Sequence, residues 1–299
     1  TNTMRTAAAT GSPIPIVGSG SLLSQVPNLG AITLAFATGQ CGSENWGGVS
    51  ASSFIGSNIP ALNNAGLNYV VSTGGAAGVF TCASPTAFVS FIDRYYTSHM
   101  VGVDFDIEGG QSAADIQALV AGVAAAQQKY PKLRYSFTLA TLAASDGSFG
   151  GLNSLGDTAV KAIQAAGLSN YTINLMVMDY GSTGPGLCVV ANGKCDMGQS
   201  AIQAVTNLQH TYNIPASKIE LTPMIGVNDT SSEVVSLTDV DTISSYAASH
   251  GLAGVHYWSL DRDTPCPGGG GGTASSTCNS VSGSTPLQYT KRFLSDLGK

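Results

Sequence analysis

Three acidic residues alternate along one short segment of the chain. Asp104, Asp106 and Glu108 are separated by single apolar residues within positions 101–110. On a strand, residues two positions apart point to the same face, so the three carboxyl groups form a row. Carboxylates this close together cannot all ionise, and at least one proton is shared among them. Such a row predicts proton-transfer chemistry of the kind that a hydrolase uses.

Two other roles for this row are a divalent-metal site and a structural acidic ladder. A single strand offers poor convergence of metal ligands, and no histidine accompanies the three acids. Acids with perturbed ionisation concentrate at functional sites, which favours catalysis over a structural role. We therefore expect neither a metal nor a cofactor.

Strand-like and helix-like patterns alternate along the rest of the chain. Short β-branched or apolar runs predict strands over residues 14–17, 32–38, 69–73, 101–107, 135–141, 173–180, 220–225 and 254–260. Amphipathic or alanine-rich stretches predict helices near residues 21–28, 54–65, 85–98, 112–129, 155–167, 198–213, 238–249 and 286–297.

This alternation predicts an α/β fold whose parallel strands close into a TIM (β/α)8 barrel. We expect residues 1–299 to form a single domain, with a glycine-rich surface loop around residues 266–278. In such barrels the functional groups lie at the C-terminal ends of the strands, which is where the acidic row ends.

The composition narrows the class of partner. Charged residues make up 10% of the 299 residues, the formal net charge is -6, and the basic residues are scattered. This distribution excludes the basic patch of a nucleic-acid-binding protein. A surface rich in hydroxyl and amide groups suits a neutral polymer such as a polysaccharide. No apolar run is long enough to span a bilayer, so we expect no membrane partner, and we expect a monomer.

Six cysteines, an even number, lie in polar loops of the sequence. Their positions predict three loop-closing disulfides: Cys188–Cys195, Cys266–Cys278 and, by elimination, Cys41–Cys82. Six cysteines allow 15 connectivities, so this pairing is a hypothesis. Disulfides persist in oxidising compartments, which predicts an extracellular protein. The chain begins without a signal-peptide pattern, as a secreted chain does after cleavage.

The acidic row resembles the signature of a known enzyme family. Residues 102–108 read Gly-Val-Asp-Phe-Asp-Ile-Glu and resemble the DGxDxDxE motif of the family 18 glycoside hydrolases, the chitinases. Val101 stands in place of the leading Asp. Residues 72–75 resemble the family's SxGG motif, and Trp258 falls at its late tryptophan. The resemblance covers nearly the whole chain and is strongest to compact bacterial chitinases without an α+β insertion, which implies an open cleft and internal cleavage.

The resemblance implies substrate-assisted hydrolysis with retention of the anomeric configuration, an exception to the usual two-carboxylate mechanism. Glu108 would protonate the glycosidic oxygen, while the sugar's own acetamido carbonyl attacks the anomeric carbon. Asp106 would orient the acetamido group. Asp104 would share a proton with Asp106, and Ser72 would support Asp104. An N-acetyl group is then required, because the nucleophile belongs to the substrate.

The sixth predicted strand fits the family's MxYD pattern in two registers. One register keeps Met176 and Asp179, whereas the other keeps Met178 and Tyr180 and has Gly181 in place of Asp. We prefer the second register, because it directs a tyrosine hydroxyl inward to bond the acetamido carbonyl. Asp179 then becomes a strand-end contact.

Further substrate contacts are expected at the ends of other strands. Trp258 would form the floor beneath the cleaved sugar. Trp46 is a candidate outer stacking platform, with an ordinary loop anchor as the alternative. Asn228 is expected to line the cleft, and Gly74 of the SxGG motif and Met178 complete the expected substrate-binding set.

These features together predict a secreted, endo-acting chitinase that binds chitin or N-acetylglucosamine oligomers. An endo-β-N-acetylglucosaminidase acting on N-glycans would use the same acids. A non-catalytic chitin-binding lectin is a third alternative. Such relatives typically lose the terminal glutamate, and Glu108 is present.

Overall fold

The computed structural model describes residues 15–299. The contacts within the chain divide it into two units. The first unit comprises the described residues up to Leu139 together with Ser154–Thr172, and the second comprises Ala140–Asn153 and Ile173–Lys299.

A parallel sheet organises the first unit. Its strands are β1 (Ile32–Ala37), β2 (Tyr69–Gly74), β3 (Met100–Ile107) and β4 (Arg134–Ala140). They lie side by side in that order, each parallel to the next. The register places Asp104 of β3 between Ser72 of β2 and Ser136 of β4. Every residue of β2 is buried, as expected for a strand of a parallel sheet that is covered on both faces.

The helices of the first unit are α1 (Leu22–Gln25), α2 (Ala51–Asn64), α3 (Pro85–Tyr95), α4 (Ala113–Lys129) and α5 (Ser154–Ala166). A capping box starts α4: the Ser112 hydroxyl accepts the Asp115 N–H at 3.1 Å, and the Asp115 carboxylate accepts the Ser112 N–H at 2.8 Å. Gly122 lets α4 approach α3 closely, because a Cβ there would lie 2.9 Å from the Phe88 ring. Helix packing thus covers the outer face of the sheet.

The second unit contains three parallel strands and three helices. The strands are β5 (Tyr171–Met176), of which the residues from Ile173 belong to this unit, β6 (Ile219–Thr222) and β7 (Gly254–Val255), in that spatial order. The helices are α6 (Met197–Tyr212), α7 (Leu237–His250) and α8 (Gln288–Asp296). Backbone hydrogen bonds continue the pairing of β6 with β7 beyond Val255, from the Trp258 N–H to Pro223 and from the Ile225 N–H to Trp258, each 2.9 Å long.

Shorter elements complete the description. Two single 3-10 turns span Ala216–Lys218 and Leu260–Arg262. Two-residue strands lie at Gly39–Gln40, Asn45–Trp46, Val49–Ser50, Phe80–Thr81, Val190–Ala191, Lys194–Cys195, Gly226–Val227 and Val234–Val235. Among the described residues, no helix combines the length and the apolar character of a membrane span.

The predicted α/β class with parallel strands is confirmed, and four predicted strands differ from those observed. The strand predicted over 14–17 begins at Ile14, which lies outside the described residues, and residues 15–17 form no strand. Pro15 has no N–H to donate to a sheet. The strand predicted over 173–180 ends at Met176, because Asp179 adopts a left-handed conformation with φ 51°. The strands predicted over 220–225 and 254–260 end at Thr222 and Val255.

Three disulfides join the six cysteines, with the pairing predicted from their positions: Cys41–Cys82, Cys188–Cys195 and Cys266–Cys278. The first lies in the first unit and the other two in the second. Cys266–Cys278 closes the glycine-rich loop, whose residues 267–273 are exposed as expected. Because each disulfide closes a loop, it limits the conformations of the unfolded chain.

Candidate active site

The acidic residues of β3 lie on one face of the first unit's sheet. Asp104 and Asp106 are 7% and 6% exposed, and Glu108, just beyond the end of the strand, is partly exposed. Phe105 points to the opposite face and packs on Phe88 of α3, with ring centroids 5.6 Å apart. Strand alternation therefore holds the acids together on the inner face, with Glu108 at the accessible end of the row.

Asp104 accepts hydrogen bonds from hydroxyl groups on both neighbouring strands. Ser72 Oγ of β2 donates to Oδ2 at 2.5 Å. Ser136 Oγ and Thr138 Oγ1 of β4 both donate to Oδ1 at 2.7 Å. Hydrogen bonds to a carboxylate stabilise its ionised form. The Ser72 contact is the one expected from the sequence. The Ser136 and Thr138 contacts were not anticipated, since the chain pattern alone does not give the pairing register of β4.

Asp106 and Glu108 form a hydrogen-bonded carboxyl pair. Burial, followed by the negative charges of Asp104 and Glu108, raises the pKa of Asp106 well above its ordinary value. Burial also raises the pKa of Glu108, while hydrogen bonds from Asp106 and the Ala76 backbone partly offset that rise. The sequence predicts that Asp104 shares a proton with Asp106. In the structure Asp106 is hydrogen-bonded to Glu108 instead, and Asp104 acts on it through its charge.

One oxygen of Asp106 has no hydrogen-bond partner although it is buried. This atom, Oδ1, contacts no donor in the part of the chain that the structure describes. Unpaired buried carboxylate oxygens are costly in free energy, and in a native protein they call for a functional explanation. An N–H donor from a bound molecule would satisfy it.

Two glycines of the SxGG segment pack directly against the backbone of Asp106. A Cβ on Gly74 would lie 2.2 Å from the Asp106 carbonyl oxygen, and Gly74 has φ +89°. The Gly75 N–H donates to the same carbonyl at 3.1 Å. The structure therefore gives Gly74 a role in positioning β3, whereas the sequence predicts a substrate contact. Only glycine combines this conformation with this close approach.

Trp46 is not a surface platform, and that prediction is wrong. Its side chain is fully buried, and its ring stacks on Phe54 with centroids 3.9 Å apart. Its indole N–H donates to the Tyr95 hydroxyl at 2.8 Å. Both faces and the polar edge are used inside the first unit, so Trp46 is the loop anchor that the sequence leaves as the alternative.

In the second unit, Tyr180 is buried and is held through its backbone by Glu233. The Tyr180 and Gly181 N–H groups donate to the two oxygens of the Glu233 carboxylate, each at 3.0 Å. The Tyr180 hydroxyl is buried without a partner in the described residues. Burial, then the charge of Glu233, raises the pKa of Tyr180. Sequence reasoning missed Glu233, because an isolated acid in a loop carries no recognisable pattern.

Asp179 and Met178 lie beyond the end of β5, so the strand alternation invoked for them does not apply. Asp179 Oδ1 accepts the Thr230 N–H at 2.7 Å, and burial raises the pKa of Asp179. This is a contact between two loops of the second unit, and a contact of Asp179 with substrate stays a prediction. Met178 is partly exposed.

Asn228 does not line a cleft, and that prediction is wrong. The residue is fully buried. Its amide donates to the carbonyls of Met224 and Gly226 at 2.9 and 3.1 Å, and its Oδ1 accepts the Asp179 N–H at 3.4 Å. With its amide group occupied by backbone, Asn228 stabilises the loop after β6.

Trp258 is the one predicted aromatic platform that is accessible. Trp258 is 40% exposed and lies three residues after the end of β7. An exposed aromatic ring at a strand end offers the flat apolar surface against which the C–H face of a pyranose packs. Within residues 15–299, no cluster of three or more His, Cys, Asp or Glu residues is arranged to hold a metal ion.

Comparison with known proteins identifies relatives over part of the sequence. No protein-family model matches the chain. A probable bifunctional chitinase/lysozyme of Escherichia coli (strain K12) and Endochitinase 11 of Metarhizium anisopliae are each 31% identical to it over 230 residues. These matches cover 70% of this chain but 25% and 42% of the two relatives. The matched region is therefore less than half the length of either curated relative.

Solved structures share the fold over nearly the full length. The catalytic domain of a hyperthermophilic chitinase from Pyrococcus furiosus is 23% identical with a TM-score of 0.73, covering 96% of this chain and 94% of its own. Mutants of active domain 2 of the Pyrococcus furiosus chitinase were solved with chito-oligosaccharides. The catalytic domain of a family GH18 chitinase from the fern Peteris ryukyuensis is 16% identical with a TM-score of 0.55, covering 97% and 96%. At these identities the likeness establishes the fold.

Proposed function

We propose that the chain is a chitinase of the family 18 glycoside hydrolases and hydrolyses the β-1,4 linkages of chitin and of N-acetylglucosamine oligomers. Its sequence similarity to two proteins named as chitinases and the fold that it shares with a chitinase catalytic domain support this proposal. The observation that carries this proposal is the carboxyl pair of Asp106 and Glu108. The pair shares a hydrogen bond, lies at the end of β3 and includes one buried oxygen without a partner.

The pair does not suit the common two-carboxylate mechanisms. Those mechanisms place two carboxyl groups on either side of the glycosidic bond, about 5–9.5 Å apart. Asp106 and Glu108 are hydrogen-bonded to each other, which leaves no room for a glycosidic bond between the two carboxyl groups. Substrate-assisted hydrolysis needs a single acid at the bond, and it is the mechanism that this geometry supports.

In the proposed reaction, Glu108 donates its proton to the glycosidic oxygen as the bond to the anomeric carbon breaks. The carbonyl oxygen of the substrate's own 2-acetamido group attacks that carbon and forms an oxazolinium ion. Glu108, now ionised, removes a proton from water, which attacks the anomeric carbon and opens the ring. Two inversions at one carbon give net retention, and Glu108 regains its proton.

Asp106 complements the charge that develops during this reaction. One proton is shared by the pair, so when it resides on Glu108, Asp106 is ionised. The unpaired Oδ1 then accepts the acetamido N–H, which orients the attacking carbonyl. The negative charge lies beside the oxazolinium ion and stabilises it. The resemblance further predicts that the Tyr180 hydroxyl donates a hydrogen bond to the acetamido carbonyl. It also predicts that the Trp258 ring lies beneath the sugar.

Several finer features belong to the same proposal. Endo action is supported by the segment between β6 and β7, which holds only a short hairpin and α7. An extracellular location is supported by the three disulfides. We further propose that the chain is one closed (β/α)8 domain and acts as a monomer.

The test is a time course of products from an N-acetylglucosamine hexamer, with the anomers resolved by NMR. We expect shorter oligomers whose new reducing ends are β-anomers, and no turnover by Glu108→Gln. Equal cleavage of a fully deacetylated glucosamine hexamer, or release of α-anomers, would contradict substrate assistance. Cleavage of a high-mannose glycoprotein in place of the hexamer would indicate an endo-β-N-acetylglucosaminidase, and binding without new reducing ends a lectin.

A further inference from the structure

Strand β4 carries two hydroxyl side chains that the proposed reaction does not yet use. Ser136 and Thr138 are buried, 5% exposed each, and both donate to the same oxygen of Asp104. In the register, Ser136 lies opposite Asp104 and Thr138 lies opposite Asp106. Thr138 thus stands level with Asp106 but bonds to Asp104, so both hydroxyls converge on one carboxylate.

Their chemistry favours the ionised form of that carboxylate. A hydroxyl has a single proton to donate, and in each of these two residues it is directed at Asp104. Together with Ser72, three donors face the two oxygens of Asp104. Bonds from hydroxyls to an ionised carboxylate are about twice as strong as bonds between neutral groups, so the three donors favour the anion over the acid.

An ionised Asp104 has a direct consequence for its neighbour. Its charge is one of the causes that raise the pKa of Asp106, after burial itself. Within the first unit, the groups that titrate or carry charge on this face are Asp106 and Glu108 from β3 and Arg134, which lies opposite Gly102, from β4. On β2 the corresponding positions are Ser72 and Gly74. A fixed anion at position 104 therefore keeps one proton on the Asp106–Glu108 pair.

We propose that Ser136 and Thr138 are positioning residues for the hydrolysis, whose hydroxyls hold Asp104 as the permanently ionised member of the acidic row. This inference rests on the proposed function and adds residues to it. Neither hydroxyl touches the substrate. Both act through Asp104, which keeps the shared proton available to Glu108 and leaves Asp106 anionic when the oxazolinium ion forms.

The first test measures ionisation and does not depend on turnover. In protein with 13C-labelled aspartate carboxyl carbons, the Asp104 signal is assigned with Asp104→Asn and followed through a pH titration. Thr138→Val removes one donor without changing the side-chain shape, and Ser136→Ala removes the other. In the double variant we expect Asp104 to bind a proton at a pH about one unit higher than in the wild type.

The second test uses the hexamer as substrate. We expect the double variant to lose about tenfold in kcat with KM changed by less than about twofold, and the acidic limb of its kcat profile to shift to higher pH. Thr138→Ser, made alone, keeps the hydroxyl, so we expect no shift in the acidic limb of its kcat profile. Thr73→Val is the matched control: it removes a buried hydroxyl that donates to the Asp104 backbone carbonyl at 3.1 Å, not to the carboxylate.

The outcomes separate this inference from the proposed function. An Asp104 titration that is unchanged in the double variant overturns the inference, whatever the activity. The inference is also overturned if the double variant behaves like Thr73→Val, with a kcat that changes equally at every pH and an acidic limb that stays in place. If the wild type cleaves no hexamer, the proposed function fails, while the carboxyl titration still decides whether Ser136 and Thr138 set the charge of Asp104.

Discussion

At the scale of single residues, the site depends on two carboxyl groups that compete for one proton. Asp106 is more deeply buried than Glu108 and lies nearer to the charge of Asp104, so the two members of the pair have different environments. Glu108 remains partly exposed, where a glycosidic oxygen can reach it. Environments that separate neighbouring acids in this way assign their roles in catalysis.

Replacing Glu108 by Gln should abolish turnover and preserve binding. The amide keeps the shape and a hydrogen bond to Asp106 but has no proton to transfer, so we expect kcat to fall by at least about 10³-fold. Calorimetric titration with the hexamer should give an affinity close to that of the wild type. Glu44→Gln, a buried acid paired with Arg94 away from the acidic row, is the control for general effects of losing a buried charge. Residual turnover near the wild-type rate would remove Glu108 from the mechanism.

Asp106 should make the folded state less stable as the pH rises. Its pKa is raised in the folded state, so the native protein keeps a proton that the unfolded chain releases. This contribution favours folding at low pH and is lost as the pH rises toward the raised folded-state pKa. We therefore expect Asp106→Asn to be more stable than the wild type at pH 7, with the difference shrinking toward pH 4. Denaturant unfolding at several pH values measures it, and a pH-independent difference would refute the assignment.

Residue type and spacing predicted the row of acids, but two of the predicted substrate-binding residues were wrong. The row of three carboxyls follows from strand alternation, a local property. Trp46 and Asn228 have side chains suited to sugar binding, yet both are buried and bonded internally. Burial depends on contacts distant in sequence, such as Trp46 with Tyr95, and no local pattern encodes it. The hydrogen bonds from Ser136 and Thr138 to Asp104 could not be predicted for the same reason.

At the scale of elements, strand β2 positions the acidic strand by close backbone packing. Gly74 presents its bare α-carbon to the carbonyl of Asp106, and its neighbour Gly75 donates a hydrogen bond to that carbonyl. The side of β3 that faces β2 therefore depends on the absence of a side chain at one position.

Gly74→Ala should both destabilise the protein and slow the reaction. The added methyl would lie 2.2 Å from a backbone oxygen that has no flexible end to move aside. We expect a loss of about 2–4 kcal/mol in the free energy of unfolding and a reduced kcat through displacement of Asp106. Gly56→Ala is the matched control, because it lies on the exposed side of α2 with no atom within 4 Å. That change should stabilise by about 0.5–1 kcal/mol. Equal melting temperatures for the two variants would count against this packing role.

Periodicity located the helices and seven of the predicted strands, because each buried element repeats its apolar residues at a fixed spacing. It failed where the chain leaves regular geometry. The apolar residues after Met176 predict a strand, but Asp179 adopts a left-handed backbone conformation. The N–H groups of the next two residues donate to the Glu233 carboxylate. A loop acid more than fifty positions away holds the backbone beyond that strand, and the local sequence does not indicate this contact.

At the scale of the whole molecule, disulfides close three loops of a chain that has few charged residues. Three disulfides span separations of 41, 7 and 12 residues. Charged residues are 10% of the chain, so ion pairs contribute little to its stability.

The three disulfides should differ in their contribution to stability according to the loop that each closes. In the chain-entropy account, removing Cys41–Cys82 by paired Cys→Ser changes should cost about 4 kcal/mol, Cys266–Cys278 about 3 and Cys188–Cys195 about 2. Denaturant unfolding of the three double variants tests this order. A larger loss for Cys188–Cys195 than for Cys41–Cys82 would show that local packing outweighs loop length.

The link between Glu233 and the backbone at Tyr180 limits how this protein can be re-engineered. Grafting the tyrosine segment into a different scaffold would transfer the ring without the carboxylate that grips Tyr180 and Gly181 from a distant loop. In the graft, the backbone N–H groups of Tyr180 and Gly181 would lack their acceptor, and the position of the Tyr180 hydroxyl would no longer be fixed. A design that transfers Tyr180 must therefore also transfer the loop that contains Glu233.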